Sequence, residues 1–250
     1  MKTYLISGGA GFIGTNLTKK LLSEGQKVIC IDNLLTGRQQ NIDLFLANKN
    51  YKYIQADICN PIEIKEHIDV IFNLACAASP PKYQLDPIHT IKTNVLGMLN
   101  ILNIAREYKS VVFQASTSEI YGDPVVDIQD EEYWGNVNTY GDRACYDEGK
   151  RITETICYEY IKEFDVDVRV GRIFNTYGTY MDPNDGRVIS NFITQGLSGQ
   201  KITIYGNGKQ TRSFCYIDDL VDALLQIVSV EKEKYRSFGR PINLGKSESY

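Results

Sequence analysis

The sequence predicts an α/β chain: a parallel sheet covered by helices on both faces, followed by a small C-terminal domain. Three observations predict it. An apolar run, Tyr4-Leu5-Ile6, leads through Gly8, Gly11 and Gly14 into leucines at helical spacing (Leu17, Leu21, Leu22). Strand-like and helix-like segments then alternate through the first two thirds, which calls for βαβ units. After Arg172 the pattern breaks into shorter pieces rich in Gly, Asp, Asn and Pro.

The elements follow in order. Lys27-Val28-Ile29-Cys30-Ile31-Asp32 reads as a second strand and Arg38–Ala47 as a helix. Tyr51–Ala56 is a third strand ending at Asp57. Pro61 is expected to open a short helix, because proline suits the first helical position. Val70–Leu74 is a fourth strand, followed by a run of small residues from Ala75. Ile88, Ile91, Val95, Met98 and Leu102 mark a long amphipathic helix. Val111–Ala115 is a fifth strand, Ala144–Phe164 a second long helix and Val166–Val170 a sixth strand. Beyond it come a helix Val188–Leu197, a strand Ile202–Tyr205, a helix Asp218–Val230 and a last strand Pro241–Leu244. This is a Rossmann-like, doubly wound sheet over residues 1–175, with a return around 209–230 and a substrate domain over 176–250.

Bulk properties remove several function classes. The chain has 250 residues, 43% hydrophobic and 23% charged, which is ordinary globular composition. A formal net charge of -4 gives no footing for nucleic acid. Gly8 and Gly9 interrupt the first apolar run, and Val70–Ala78 is too short for a membrane span, so neither a leader nor a membrane partner is expected. Six cysteines form no C-x-x-C pair and only His67 and His89 are present, so reduced cytoplasmic thiols and no metal are expected.

Gly8, Gly11 and Gly14 each have a mechanical use. They allow a tight turn, a close approach of diphosphate to backbone, and close packing of helix on strand. The helix opening at Phe12 and Ile13 offers unpaired N–H groups to phosphate. Asp32 ends the second strand, where a carboxylate accepts hydrogen bonds from an adenosine ribose and repels a 2′-phosphate. That favours NAD over NADP, with Arg38 the one contrary residue. Asn33, Asp57, Ile58, Leu74 and Ala75 sit at or just past strand ends and, with Tyr146 and Lys150 from a later helix, complete the expected cofactor side.

Tyr146 and Lys150 stand at i and i+4 on one helix face. A nearby ammonium favours the phenolate, so Tyr146 is a candidate base and Lys150 its partner. Thr117, at the end of the fifth strand, is placed to orient the same substrate hydroxyl. Glu119, two residues on, is a site carboxylate on a loop past a parallel strand. Arg212 offers a forked guanidinium to a carboxylate or diphosphate.

These segments together resemble the extended short-chain dehydrogenase/reductases, and within them the UDP-glucuronate decarboxylases. The resemblance is carried by Gly8–Gly14, Ala115–Gly122, Arg143–Arg151, Arg172–Gly178, Asn184–Val188 and Gln210–Phe214. It implies Thr117, Tyr146 and Lys150 as the catalytic trio, with Glu119 and Arg212 serving decarboxylation and either one reprotonating the sugar. It implies Ser118, Asn175, Arg187, Val188, Tyr205 and Arg212 around a UDP-sugar substrate, NAD as cofactor, and a homodimer built on the two long helices. Three departures stand out: Asp142 where the family has Pro, Gly178-Thr179-Tyr180-Met181-Asp182 in place of Gly-Pro-Arg-Met-His, and a substrate domain shorter than usual. The alternatives are a nucleotide-sugar 4,6-dehydratase, disfavoured by Ser118 where an acid is expected, a 4-epimerase, and an inactive nucleotide-binding module.

Overall fold

The computed structural model describes residues 1–204, 206–209 and 211–246. Seven strands form one parallel sheet: β1 (Thr3–Ser7), β2 (Lys27–Asp32), β3 (Tyr51–Gln55), β4 (Val70–Asn73), β5 (Val111–Thr117), β6 (Asp167–Ile173) and, after a small two-strand pair, β9 (Ile242–Leu244). Their order is β3-β2-β1-β4-β5-β6-β9. The order reverses between β1 and β4, which places the switch point where the glycine turn leaves β1. The pair β7 (Thr176–Tyr177) and β8 (Cys215–Tyr216) lies outside this sheet.

The helices are α1 (Phe12–Ser23), α2 (Gln39–Asp43), α3 (Pro80–Tyr83), α4 (Pro87–Lys92), α5 (Met98–Tyr108), α6 (Ala144–Phe164), α7 (Val188–Leu197), α8 (Ile217–Ser229) and α9 (Lys232–Arg236). Alternate strand residues feed two cores. Tyr4, Ile6, Val28 and Phe72 pack under α1 and α8 with Leu17, Leu21, Leu220 and Leu224. Leu5, Ile29, Ile31 and Ile71 pack under α5 and α6 with Met98, Ile101, Leu102 and Cys157. A strand buried on both faces thus reads as an unbroken apolar run. α8, though late in the chain, covers the first of these cores beside α1.

Four expectations change. No helix forms at Pro61: Tyr108 Oη donates to the Ile64 carbonyl, and Ile64 and Ile68 are drawn into the second core. The helix expected over Arg38–Ala47 is only α2, because exposed Leu44 and Leu46 give it no core to pack on. Residues 202–204 are not a strand; Ile202 and Ile204 are exposed, and Thr203 N bonds the Gln195 side chain instead of a strand partner. The long helix before β5 is interrupted by a π turn, Thr93–Gly97, between α4 and α5.

Candidate active site

A cleft of about 350 Å³ opens at the carboxyl ends of β1, β2, β4 and β5. One end is the glycine turn. Gly8 has φ +72°, and a Cβ there would lie 2.8 Å from the Leu74 carbonyl carbon. A Cβ on Gly14 would lie 2.5 Å from the Gly8 carbonyl oxygen. The backbone therefore occupies the volume that a side chain would need. α1 starts without a side-chain cap, and Gly11, Phe12, Ile13 and Gly14 all line the cleft. That is the arrangement that holds a diphosphate.

Asp32 ends β2 and is buried, accepting from Ala10 N at 3.0 Å and Leu34 N at 2.8 Å. Burial pushes its carboxyl up, and the two N–H groups draw it back. Asn33 donates to Asp57 at 3.1 Å, and Asp57 also pairs with His89 Nε2 at 2.7 Å. Burial alone would raise Asp57, but His89, Cys59 and Asn33 outweigh it and hold the carboxyl at about 2. Ile58, Leu74 and Ala75 line the wall beside them. Glycines that let the turn pack tightly against backbone at an uncapped helix start, and a carboxylate at the strand end, fit NAD.

The other end gathers the candidate catalytic residues. Thr117 is the last residue of β5; its Oγ1 accepts from Glu119 N at 3.2 Å. Tyr146 and Lys150 lie in the buried first turns of α6. Lys150 Nζ donates to the Ala115 carbonyl at 2.9 Å and sits 5.9 Å from the Tyr146 ring centroid. Tyr83 stacks flat on Tyr146, with centroids 4.9 Å apart and planes 5° apart. Burial and then the Cys76 thiol push the Tyr146 phenol up, while its bond with the Thr117 hydroxyl pulls it down. Thr117, Ser118, Glu119, Tyr146 and Lys150 share one cleft with the glycine turn.

The C-terminal candidates divide. Asn175 and Arg187 line the cleft, with Arg187 Nε 3.0 Å from Asp185. Val188 does not; as the first residue of α7 its side chain is exposed, and Arg187 before it faces the cleft instead. Arg212 does not line it either. It is exposed on an irregular segment, and its Nη1 donates to the adjacent Thr211 carbonyl. Tyr205 lies outside the described residues.

Four contributors escaped sequence reasoning. Arg143 pairs with Glu119, and its Nε lies 3.5 Å from Asp147. Burial pushes the Asp147 carboxyl up to about 6, against the pull of Arg143, and its Oδ1 has no partner. Both residues flank Tyr146 in sequence, which was the available signal. Tyr83 and His89 come from α3 and α4, and no local pattern pointed to them. Asp57, Cys59 and His89 bring candidate metal-ligating atoms within 4.8 Å of one another. Each already has a protein neighbour: Asp57 and His89 have one another, and Cys59 Sγ has Thr93 Oγ1 at 3.6 Å.

The profile of the NAD dependent epimerase/dehydratase family matches residues 4–245. The chain is 48% identical over 249 residues to UDP-glucuronic acid decarboxylase 1 of Danio rerio, covering 100% of this chain and 58% of that protein. It is 46% identical over 242 residues to UDP-glucuronic acid decarboxylase 5 of Arabidopsis thaliana, covering 96% and 69%. Among solved structures, dTDP-glucose 4,6-dehydratase from Bacillus anthracis with NAD superposes with a TM-score of 0.83 at 28% identity, covering 100% of this chain and 77% of that one. UDP-glucuronic acid 4-epimerase from Bacillus cereus, in complex with UDP-glucuronic acid and NAD, gives 0.85 at 26%, covering 99% and 79%. The glycine cradle, the strand-end Asp32 and the match over nearly the whole length lead to one conclusion: the chain belongs to the NAD dependent epimerase/dehydratase family, and NAD is its cofactor.

Proposed function

We propose that this chain carries the NAD-dependent decarboxylation of UDP-glucuronate to UDP-xylose through a 4-keto sugar. The observation that carries the reading is the joining of Thr117, Tyr146 and Lys150 with Glu119 in the cleft that holds the glycine turn. The named decarboxylases at 46–48% identity support the substrate. The chain spans 58% of the Danio rerio protein, so the activity is proposed from the part present.

When bound, NAD supplies a hydride acceptor at the sugar's C4 and later returns that hydride. Thr117 and Tyr146 hold the 4-hydroxyl, and Tyr146 removes its proton. Burial opposes the phenolate, the Thr117 bond and the Arg187 charge favour it, and Lys150 stands 5.9 Å from the ring as a further cation. A ketone at C4 makes the sugar a β-keto acid, so the electrons left by departing CO₂ delocalise into the carbonyl. Glu119 lines the cleft and Arg212 does not, which favours Glu119 for reprotonating C5. Keeping the keto sugar from escaping calls for a closed, water-poor site.

The test is incubation with NAD⁺ and UDP-glucuronate, with UDP-xylose read by mass and CO₂ released in equal amount. A 4-epimerised acid sugar or a 6-deoxy-4-keto product would replace this reading with one of the neighbours' chemistries, and no product would favour a binding module. Exposed Ile88 and Ile91 on α4 and Ile152 on α6 support a homodimer through those helices, which light scattering checks. Six free cysteines support a reducing, cytoplasmic setting. Among the described residues no helix is long and apolar enough to cross a membrane.

A further inference from the structure

The catalytic end of the cleft poses an electrostatic problem for an acidic sugar. Glu119 lines it, and Asp147 lies immediately behind. A third carboxylate brought to Tyr146 meets like charge unless a cation answers it. Most cations lining the cleft are committed or distant. Lys150 Nζ is buried and bound to the Ala115 carbonyl at 2.9 Å. Arg187 Nε lies 3.0 Å from Asp185 Oδ2 without a hydrogen bond, so Arg187 is the rival cation that the test must separate from Arg143; Lys82 lies 3.8 Å from Asp182. Arg38 bonds Gln40 at 2.6 Å, beside the strand-end carboxylate of the cofactor side.

Arg143 is placed differently. Its carbonyl accepts the N–H groups of Tyr146 and Asp147, each at 3.0 Å, so it is fixed at the start of α6, one turn before the proposed base. Its side chain is half-exposed in the cleft. Nη2 meets Glu119 and Nε faces Asp147, which leaves Nη1 without a protein partner among the described residues. The Glu119 side chain is itself 40% exposed, so the pair opens without unfolding any buried packing.

We propose that Arg143 selects a sugar bearing a carboxylate, by exchanging its ion pair with Glu119 for one with the substrate's carboxylate. This rests on the acidic-sugar reading above and assigns the carboxylate to Arg143 in place of the exposed Arg212. The exchange has a second effect. Before substrate arrives, Arg143 neutralises Glu119 and keeps the cleft from repelling an anion. Once the guanidinium turns to the substrate, Glu119 is released in the cleft, where it can take a proton from solvent and pass it to C5 after CO₂ has left. One arginine thus couples recognition to the availability of the acid.

The test is calorimetric binding to the NAD-loaded protein, with Tyr146→Phe in every variant so that turnover is blocked and that parent standing as wild type below, of two ligands: UDP-glucuronate, and UDP-glucose, which carries CH₂OH where the acid has its carboxylate. Wild type should prefer the acid. Arg143→Gln should weaken UDP-glucuronate by about 10–100-fold, the range for a lost charge-assisted pair, and leave UDP-glucose within about twofold. Glu119→Gln should tighten UDP-glucuronate by about two- to fivefold, since it removes a competitor for the guanidinium. A misfolded variant does not bind more tightly, so this opposite sign separates selection from damage. Equal weakening of both ligands by Arg143→Gln would make Arg143 a structural residue and overturn the proposal. So would discrimination lost in Arg187→Gln and kept in Arg143→Gln. If wild type itself shows no preference for the acid, the acidic-sugar reading falls and the proposal with it.

Discussion

The two ends of this chain hold their functional residues by different means. In the part built on β1 to β5, each cofactor-side residue is fixed by the sheet. Gly8 N bonds the Ile31 carbonyl at 2.8 Å, Leu74 N bonds the Ser7 carbonyl at 3.0 Å, and Asp32 is clamped by two backbone N–H groups. Beyond β6 the support is thinner. β7 and β8 have two residues each, and Ile193, Leu197, Ile202 and Ile204 stand exposed. Arg212 lies in this part, out of the cleft. Residues at the ends of buried parallel strands are placed by backbone bonding; those on short exposed pieces depend on what packs against them.

The largest effect is expected at the rigid end. Tyr146→Phe removes the proposed base and keeps the ring stacked on Tyr83, so turnover should fall by about 10²–10⁴-fold. NAD affinity should stay unchanged, which fluorescence titration reads. An active variant would remove Tyr146 from the mechanism.

Gly14→Ala tests the cradle. The new methyl would meet backbone at 2.5 Å and 2.6 Å, contacts that no side-chain rotation relieves. A loss of about 2–4 kcal/mol in stability, together with loss of NAD binding, is expected in urea melts and titrations. Retained NAD affinity would mean that the turn is more pliable than the sheet around it.

Asp147→Asn gives a smaller effect with a definite sign. The folded carboxyl is raised to about 6, so between about pH 4 and 6 the folded state holds a proton that the unfolded chain has released. Its contribution is present below about pH 4 and lost as pH rises through about 6. Asparagine keeps the neutral form, so it should stabilise by on the order of 1–2 kcal/mol at about pH 7.5 and not at about pH 3.5. Denaturant melts at the two pH values check it.

The smallest effect belongs to the C-terminal part. Arg212→Ala should change stability by less than about 0.5 kcal/mol and leave NAD affinity as it was. A large fall in turnover with both of these unchanged would show that this segment reaches the substrate only once substrate is bound, and would sharpen the contrast between the two ends.

The same contrast decides what was legible. β2, α6 and α7 run over the very residues read from periodicity, because a strand buried on both faces and a one-sided helix each leave a plain pattern. Thr117 and Tyr146 were readable for a related reason: each lies at the end of such an element. Arg143 offered only its place beside Tyr146, since its proposed role comes from Glu119, which the fold brings from the turn after β5. Pro61 misled because its local preference for a helix start lost to the burial of Ile64 and Ile68. The π turn at Thr93–Gly97 leaves no mark in hydrophobic spacing. Tertiary bonds meet it instead, with Thr153 Oγ1 donating to the Asn94 carbonyl at 2.9 Å and Asn94 Nδ2 reaching Cys76 Sγ at 3.3 Å.

The flat stack of Tyr83 on Tyr146 bears on how the barrier is lowered. A lone phenol on a helix samples several tilts, and each must be abandoned before its oxygen can meet a sugar hydroxyl. A second ring lying 5° from parallel, with centroids 4.9 Å apart, limits the tilts open to Tyr146. The ordering is completed when the chain folds and need not be repeated at each turnover. In the proposed mechanism Tyr83 would act on the entropy of activation, through the ring of Tyr146.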